Sequence, residues 1–163
     1  MKETELKLRL FGDPVLTDGV KQISEVTDNH RKLLSQMARI MYVTSGIGLA
    51  GPQVGIDEAL IVVDSGTGLY KLVNPKIVKQ EGAQEIDEGC LSVPGVSVKV
   101  KRAKKVTVEA LDEFGKAVTI EAEELLACVF QHELDHLNGK LIIDYSPDKE
   151  KLIKKFENFK EIG

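Results

Sequence analysis

Apolar and polar positions divide the chain into segments of two periods. A helix is expected from Thr27 and Asp28, both good N-caps, because Leu33, Leu34, Met37, Ile40 and Met41 recur at helical spacing. Gly46 is its expected stop. Residues 59–64, Ala-Leu-Ile-Val-Val-Asp, read as a buried strand, and a shorter strand is expected at 70–73, before Asn74-Pro75. From 76 to 122 the pattern is β. Lys76 to Gln80 and Val96 to Val100 alternate, while Lys105 to Leu111 and Ala117 to Ala122 flank the turn Asp112-Glu-Phe-Gly115 as a hairpin. Glu123 to Asn138 is a strong helix closed by Gly139. Leu141 to Ile143 reads as a short strand. Asp148 to Lys160 reads as a terminal amphipathic helix after Ser146 and Pro147. The sum is an α+β fold, with mixed or antiparallel sheet packed around one central helix. No repeat or linker interrupts it, so residues 1–163 are expected to form a single domain.

The central helix carries the chemistry. Residues 132–136 read His-Glu-Leu-Asp-His. Histidines at i and i+4 share a helix face one turn apart, where both rings reach one metal ion. Glu133 sits about 60° around the helix from His136, placed to lean over such a site as a general base without ligating. Leu125, Cys128 and Val129 fall within about 60° of His132, whereas Glu124, Gln131 and Asp135 share one narrow stripe. A helix with a single polar stripe is buried over most of its surface. Two buried imidazoles without partners would be costly there.

Composition narrows the classes. Of the 163 residues, 42% are hydrophobic and 29% charged, as in an ordinary globular protein; aromatics are 5% and tryptophan is absent, so the core must be aliphatic. The net charge of −4 argues against a nucleic-acid or anionic-membrane footprint. No apolar stretch is long enough to span a bilayer. Met1 to Arg9 lacks the apolar region of a secretory signal, so a cytoplasmic location is expected. Two cysteines there are not expected to form a structural disulfide.

A catalytic metal site usually has three protein ligands and one open position. No histidine follows His136, and Glu150, Glu157 and Glu161 lie on the lysine-rich terminal helix. Cys128 lies two turns from His136, roughly 12 Å along the axis, which places it in the site wall. Cys90 sits in Glu-Gly-Cys-Leu-Ser-Val-Pro-Gly (88–95) and is the better candidate, with a small buried hydrophobe as the alternative. His30, at a helix start, reads as structural.

Three segments occur in order: Gly46-Ile-Gly-Leu-Ala-Gly-Pro-Gln53, Glu88-Gly-Cys-Leu-Ser92 and Gln131-His-Glu-Leu-Asp-His136. With them the whole chain resembles the bacterial peptide deformylases, down to Phe-Gly-Asp-Pro-Val-Leu near the N-terminus. The resemblance implies an enzyme that removes the N-formyl group from formylmethionine of nascent polypeptides. It implies Cys90, His132 and His136 as metal ligands and Glu133 as acid/base. Gln53, through its amide, and Leu91, through its backbone N–H, would hold the formyl oxygen. Ile47, Gly48 and Gly89 would align the substrate backbone, and Leu125, Cys128 and Val129 would wall the methionine pocket. One divalent ion per chain is implied, Fe2+ in the cell, with Zn2+, Ni2+ or Co2+ able to substitute; ligand chemistry alone leaves zinc and iron open. The partners implied are the N-formylmethionyl peptide and the ribosome near its exit tunnel. Neither sequence-specific nucleic-acid binding nor a membrane is expected. Gly51 stands where the family commonly has alanine, and Ser97 where some members carry an arginine that contacts the peptide beyond methionine.

Two rival classes fit less well. A zincin-type endopeptidase needs a downstream third ligand. A non-enzymatic metal module needs four ligands and leaves Glu133 and Gln53 without work. For the terminal helix, the plain reading is an apolar side packed on the domain. The basic cluster Lys151, Lys154 and Lys155 is the feature that ribosome docking would use.

Overall fold

The computed structural model describes residues 5–162, with side chains to Lys160, so the first four residues of the leucine-and-charge N-terminus and the Glu161 side chain lie outside the described residues. Helix α1 spans Asp28–Val43. Strands β1 (Gly48–Ala50), β2 (Leu60–Val63) and β3 (Tyr70–Glu81) follow. Then come β4 (Gln84–Gly89), β5 (Ser97–Arg102), β6 (Lys105–Leu111) and β7 (Ala117–Glu123). Helix α2 is Glu124–Leu137 and helix α3 is Lys149–Ile162. Five strands form one sheet in the order β1-β2-β3-β6-β7, and β4 pairs with β5 in a second. Every pairing within these sheets is antiparallel, so of the two expected sheet types the antiparallel one is observed.

Strand β2 explains its own composition. Ile61 and Val63 pack with Val129, Phe130 and Ala127 of α2, while Leu60 and Val62 pack with Leu34, Met37 and Met41 of α1. A strand covered on both faces must be apolar throughout, and all four residues are buried. A third cluster joins Val98 and Val100 of β5 to Leu16, Ile142, Ile143 and Phe156. Phe156 meets Phe11 edge-on at 5.7 Å, so α3 does pack its apolar side on the body.

Four expectations change. The separate strands at 70–73 and 76–80 are one strand, β3, bulged between Val73 and Lys76. Asn74 sits there at φ 51°, and its side chain bonds both the N–H and the C=O of Ile23. Proline is tolerated in a strand at such an irregularity. Leu141 to Ile143 is no strand. Ile142–Tyr145 forms a 3₁₀ turn, wound by Asp144 Oδ2 accepting the Leu141 N–H at 2.9 Å. Strand β4 was missed because it is acidic. Its antiparallel register with β5 sets Glu85 opposite Lys101 and Asp87 opposite Lys99, facing opposite charges of the kind that favour such pairs. Strand β1 was missed because three residues beginning with glycine carry no periodicity.

Strand β7 runs directly into α2. Glu124 takes φ 55° to turn the chain, and its N–H donates to Lys104 O at 2.9 Å. Two carbonyls at this corner, Ala103 O and Glu124 O, accept from the Gln84 side chain. The start of α2 is thereby held against the β4–β5 pair, and the rotation of its histidine face is set. His30 is structural as expected: Nδ1 accepts the Thr27 N–H at 3.0 Å, leaving Nε2–H toward Glu58 at 3.2 Å. Among the described residues no helix is long and apolar enough to cross a membrane.

Candidate metal centre and active site

Helix α2 presents His132 and His136 with their Nε2 atoms 3.1 Å apart. The segment between β4 and β5 brings Cys90 to them, with Sγ 3.4 Å from His136 Nε2. The three donor atoms lie within 4.8 Å of one another, and among the described residues they are the group of histidine, cysteine or acidic side chains that does so. Ligand bonds of about 2.0–2.3 Å to one ion span such separations. Cys128 is outside this cluster, buried in the wall of the adjoining cavity.

The second ring of contacts fits a metal as well. His132 Nδ1 lies 2.8 Å from Glu88 Oε1. Its N–H donates to the carboxylate, so the Nε2 lone pair faces the cluster, the arrangement that orients a ligating histidine and raises its basicity. Burial works against charge on His132, but its hydrogen bonds to Cys90 and Glu88 raise its pKa well above the ordinary value, so a cation at the cluster would have to displace the Nε2 proton to be ligated there. His136 is wholly enclosed, and burial pushes it well below its ordinary value, favouring the neutral form that ligates. Two imidazoles and a thiol make a soft three-donor set that fits one divalent ion and leaves a position open.

Glu133 projects between the cluster and β1. Burial raises its carboxyl to about 7, and Oε1 has no hydrogen-bond partner in the protein. A carboxyl that titrates near neutrality can both accept and return a proton. The approach depends on Gly48: a Cβ there would strike the Glu133 carboxylate and come within 2.9 Å of Val129 Cγ1.

Beside the cluster opens a cavity of about 550 Å³. Its walls include Ile47 and Gly48 from one side, Gly89, Cys90 and Leu91 from another, and Leu125, Cys128, Val129, His132 and Glu133 from α2. Gln53 also lines it, from the turn Gly51–Val54. The twelve site residues that the resemblance implied therefore meet here except His136, which lies beneath at 1% exposure. Ile47 and Leu125 stand half-exposed at the mouth.

Sequence reasoning gave no role to Glu88, Arg102, Asp135 or Tyr145. Arg102 binds Glu88 at two points, 2.7 and 2.8 Å, and reaches Asp135 at 2.6 Å and Tyr145 at 3.0 Å. Burial opposes the charge on Glu88, but bonds from Arg102 and His132 draw its pKa down to about 2. A signal existed. Arg102 occupies the inward register of β5 with Val98 and Val100, where an unpaired charge would be very costly. The stripe of Glu124, Gln131 and Asp135 is likewise only partly solvated. Gln131 is buried and bonds both the N–H and the C=O of Ala103.

Comparison with known proteins points one way. The family model described as polypeptide deformylase matches residues 6–152. The peptide deformylase of Carboxydothermus hydrogenoformans is 53% identical over 134 residues, which cover 82% of this chain and 88% of the relative. That of Halothermothrix orenii is 51% identical over 141 residues, covering 85% and 92%. A crystal structure of a peptide deformylase from Legionella pneumophila matches with a TM-score of 0.92 at 41% identity, covering 98% of this chain and 97% of that one.

Proposed function

The chain belongs to the polypeptide deformylase family, and from that premise we propose that it works as one catalytic domain that hydrolyses the formyl group from N-formylmethionyl peptides, releasing formate and a free amine. Cys90, His132 and His136 hold the divalent ion. When bound, the ion supplies Lewis acidity, which activates water at neutral pH and polarises the formyl oxygen. Glu133 takes the proton from the attacking water and returns it to the leaving amine nitrogen. The oxyanion formed at the formyl oxygen is received by the Leu91 N–H and the Gln53 amide. Ile47, Gly48 and Gly89 align the peptide backbone, which can add as a strand along the free edge of β1. The methionine side chain enters between Leu125, Cys128 and Val129.

The observation that carries this reading is the buried Glu133 carboxylate, without a protein partner on Oε1, set between a three-donor cluster and an open cavity. Glu133→Gln keeps the volume and removes the proton carrier. Formate release from an N-formylmethionyl tripeptide is expected to fall by about 10²–10⁴ with metal content unchanged. Turnover near wild type in that variant would exclude the role.

Fe2+ is assigned as the native ion, with Zn2+, Ni2+ and Co2+ as substitutes. The soft thiolate supports iron or zinc over hard-ligand ions. Metal content and formate release of protein purified without oxygen test it; a zinc form as active as the iron form would overturn the assignment. Because α3 packs Phe156 inward and leaves Lys151, Lys154 and Lys155 exposed, we assign that lysine face to the ribosome near the exit tunnel, in the cytoplasm. Reversing the three charges should abolish salt-sensitive ribosome binding; unchanged binding would refute the assignment.

A further inference from the structure

We propose that Ser92 is a positioning residue for the hydrolysis: its hydroxyl aims the Gln53 amide at the formyl oxygen. The proposal rests on the reading of Gln53 as a donor to that oxygen. A primary amide has one acceptor oxygen and two N–H donors. Gln53 Oε1 accepts the Ala50 N–H at 3.0 Å, which fixes which end of the amide faces the cavity. Nε2 donates to Ser92 Oγ at 3.2 Å. With the oxygen and one N–H committed, the second N–H has one direction left, on the Cys90 side, where Nε2 lies 3.7 Å from Sγ. Leu91, the other proposed donor, immediately precedes Ser92.

Burial makes this arrangement stiff. Ser92 is 0% exposed and Gln53 1%, so water cannot replace the bond between them. Both residues are also tied through their main chains to one short N-terminal segment. The Arg9 N–H donates to Gln53 O at 2.7 Å, and the Phe11 N–H to Ser92 O at 2.8 Å. Gly55, at φ 84°, lets the Arg9 guanidinium lie directly on the Gln53 turn, since a Cβ there would come within 2.8 Å of it. Residues 9–11 thus strap the turn carrying Gln53 to the segment carrying Leu91 and set their spacing. A donor to a developing oxyanion contributes only when it is held in place beforehand. Removing the Ser92 hydroxyl frees one N–H and leaves the amide held only through Oε1, with more latitude about that one bond.

The test is a double-mutant cycle of Ser92→Ala and Gln53→Ala, read as kcat and KM for an N-formylmethionyl tripeptide, with metal content and thermal unfolding measured for each protein. Ser92→Ala is expected to lower kcat about tenfold, part of what losing a whole oxyanion donor costs, with KM and metal content unchanged. In the Gln53→Ala background the same substitution should change kcat less than about twofold, because residues acting as a unit are not additive. Additive losses, an unaffected single variant, or a loss that tracks missing metal would each overturn the proposal. Wild-type kcat in Gln53→Ala alone would instead remove the reading of Gln53 on which it rests, a result separable from the others.

Discussion

Arg102 grips Glu88 with two parallel N–H···O bonds of 2.7 and 2.8 Å, both side chains at most 8% exposed, and the same carboxylate holds His132. The ion pair is therefore a support for one of the three proposed metal ligands as much as a contact between strands β4 and β5. Arg102→Gln leaves a buried carboxylate without its partner. Chemical denaturation should show a loss of about 3–5 kcal/mol. Metal affinity, read by competition with a chelator, should fall about 10–100-fold. Wild-type metal affinity in the folded variant would show that His132 needs no such support.

The two thiols should separate cleanly. Cys90 belongs to the donor cluster and Cys128 to the cavity wall. Cys90→Ala is expected to lose bound metal and activity. Cys128→Ala is expected to keep full metal occupancy while altering KM for the methionine side chain. Elemental analysis of both purified proteins decides the matter.

Gly48 sits where a side chain would collide with Glu133 and Val129. Gly48→Ala should displace the carboxylate, and a misplacement of about 1 Å costs on the order of a hundredfold in rate. Formate release should show that loss with metal content unchanged. An active Gly48→Ala enzyme would mean that Glu133 approaches from another side.

Asp144 offers a pH test away from the donor cluster. Burial tends to raise its pKa, but the Leu141 N–H and the Lys149 ammonium pull it below its ordinary 3.8. A depressed folded-state pKa stabilises the fold fully above the unfolded value, and the gain is lost as pH falls through the folded value. Asp144→Asn should therefore cost about 1 kcal/mol near neutrality, the usual worth of a side-chain cap. The gap to wild type should narrow below about pH 4. Urea unfolding at about pH 6 and about pH 3 measures both.

The parts of the site that were legible in sequence are those built within one element. His132, Glu133 and His136 share a helix whose period is set by local hydrogen bonds, so their common face follows from spacing alone. The hairpin of β6 and β7 was equally plain, because Asp112 Oδ1 accepts both the Phe114 and the Lys116 N–H in the turn. Strand β4 was not, since it exposes Glu85 and Asp87 and buries Glu88, which leaves no apolar rhythm.

The chain's own order of residues thus determined the helices, most of the strands, the histidine pair on α2 and, through its three motifs, the family it resembles. Only the tertiary structure decided that Cys90 comes within 3.4 Å of a histidine 46 residues away, and that Asp135 and Tyr145 bond the Arg102 that grips Glu88. Helical periodicity is a property of neighbours in sequence. The approach of distant side chains depends on how two sheets and three helices pack, and a one-dimensional pattern holds no record of that packing.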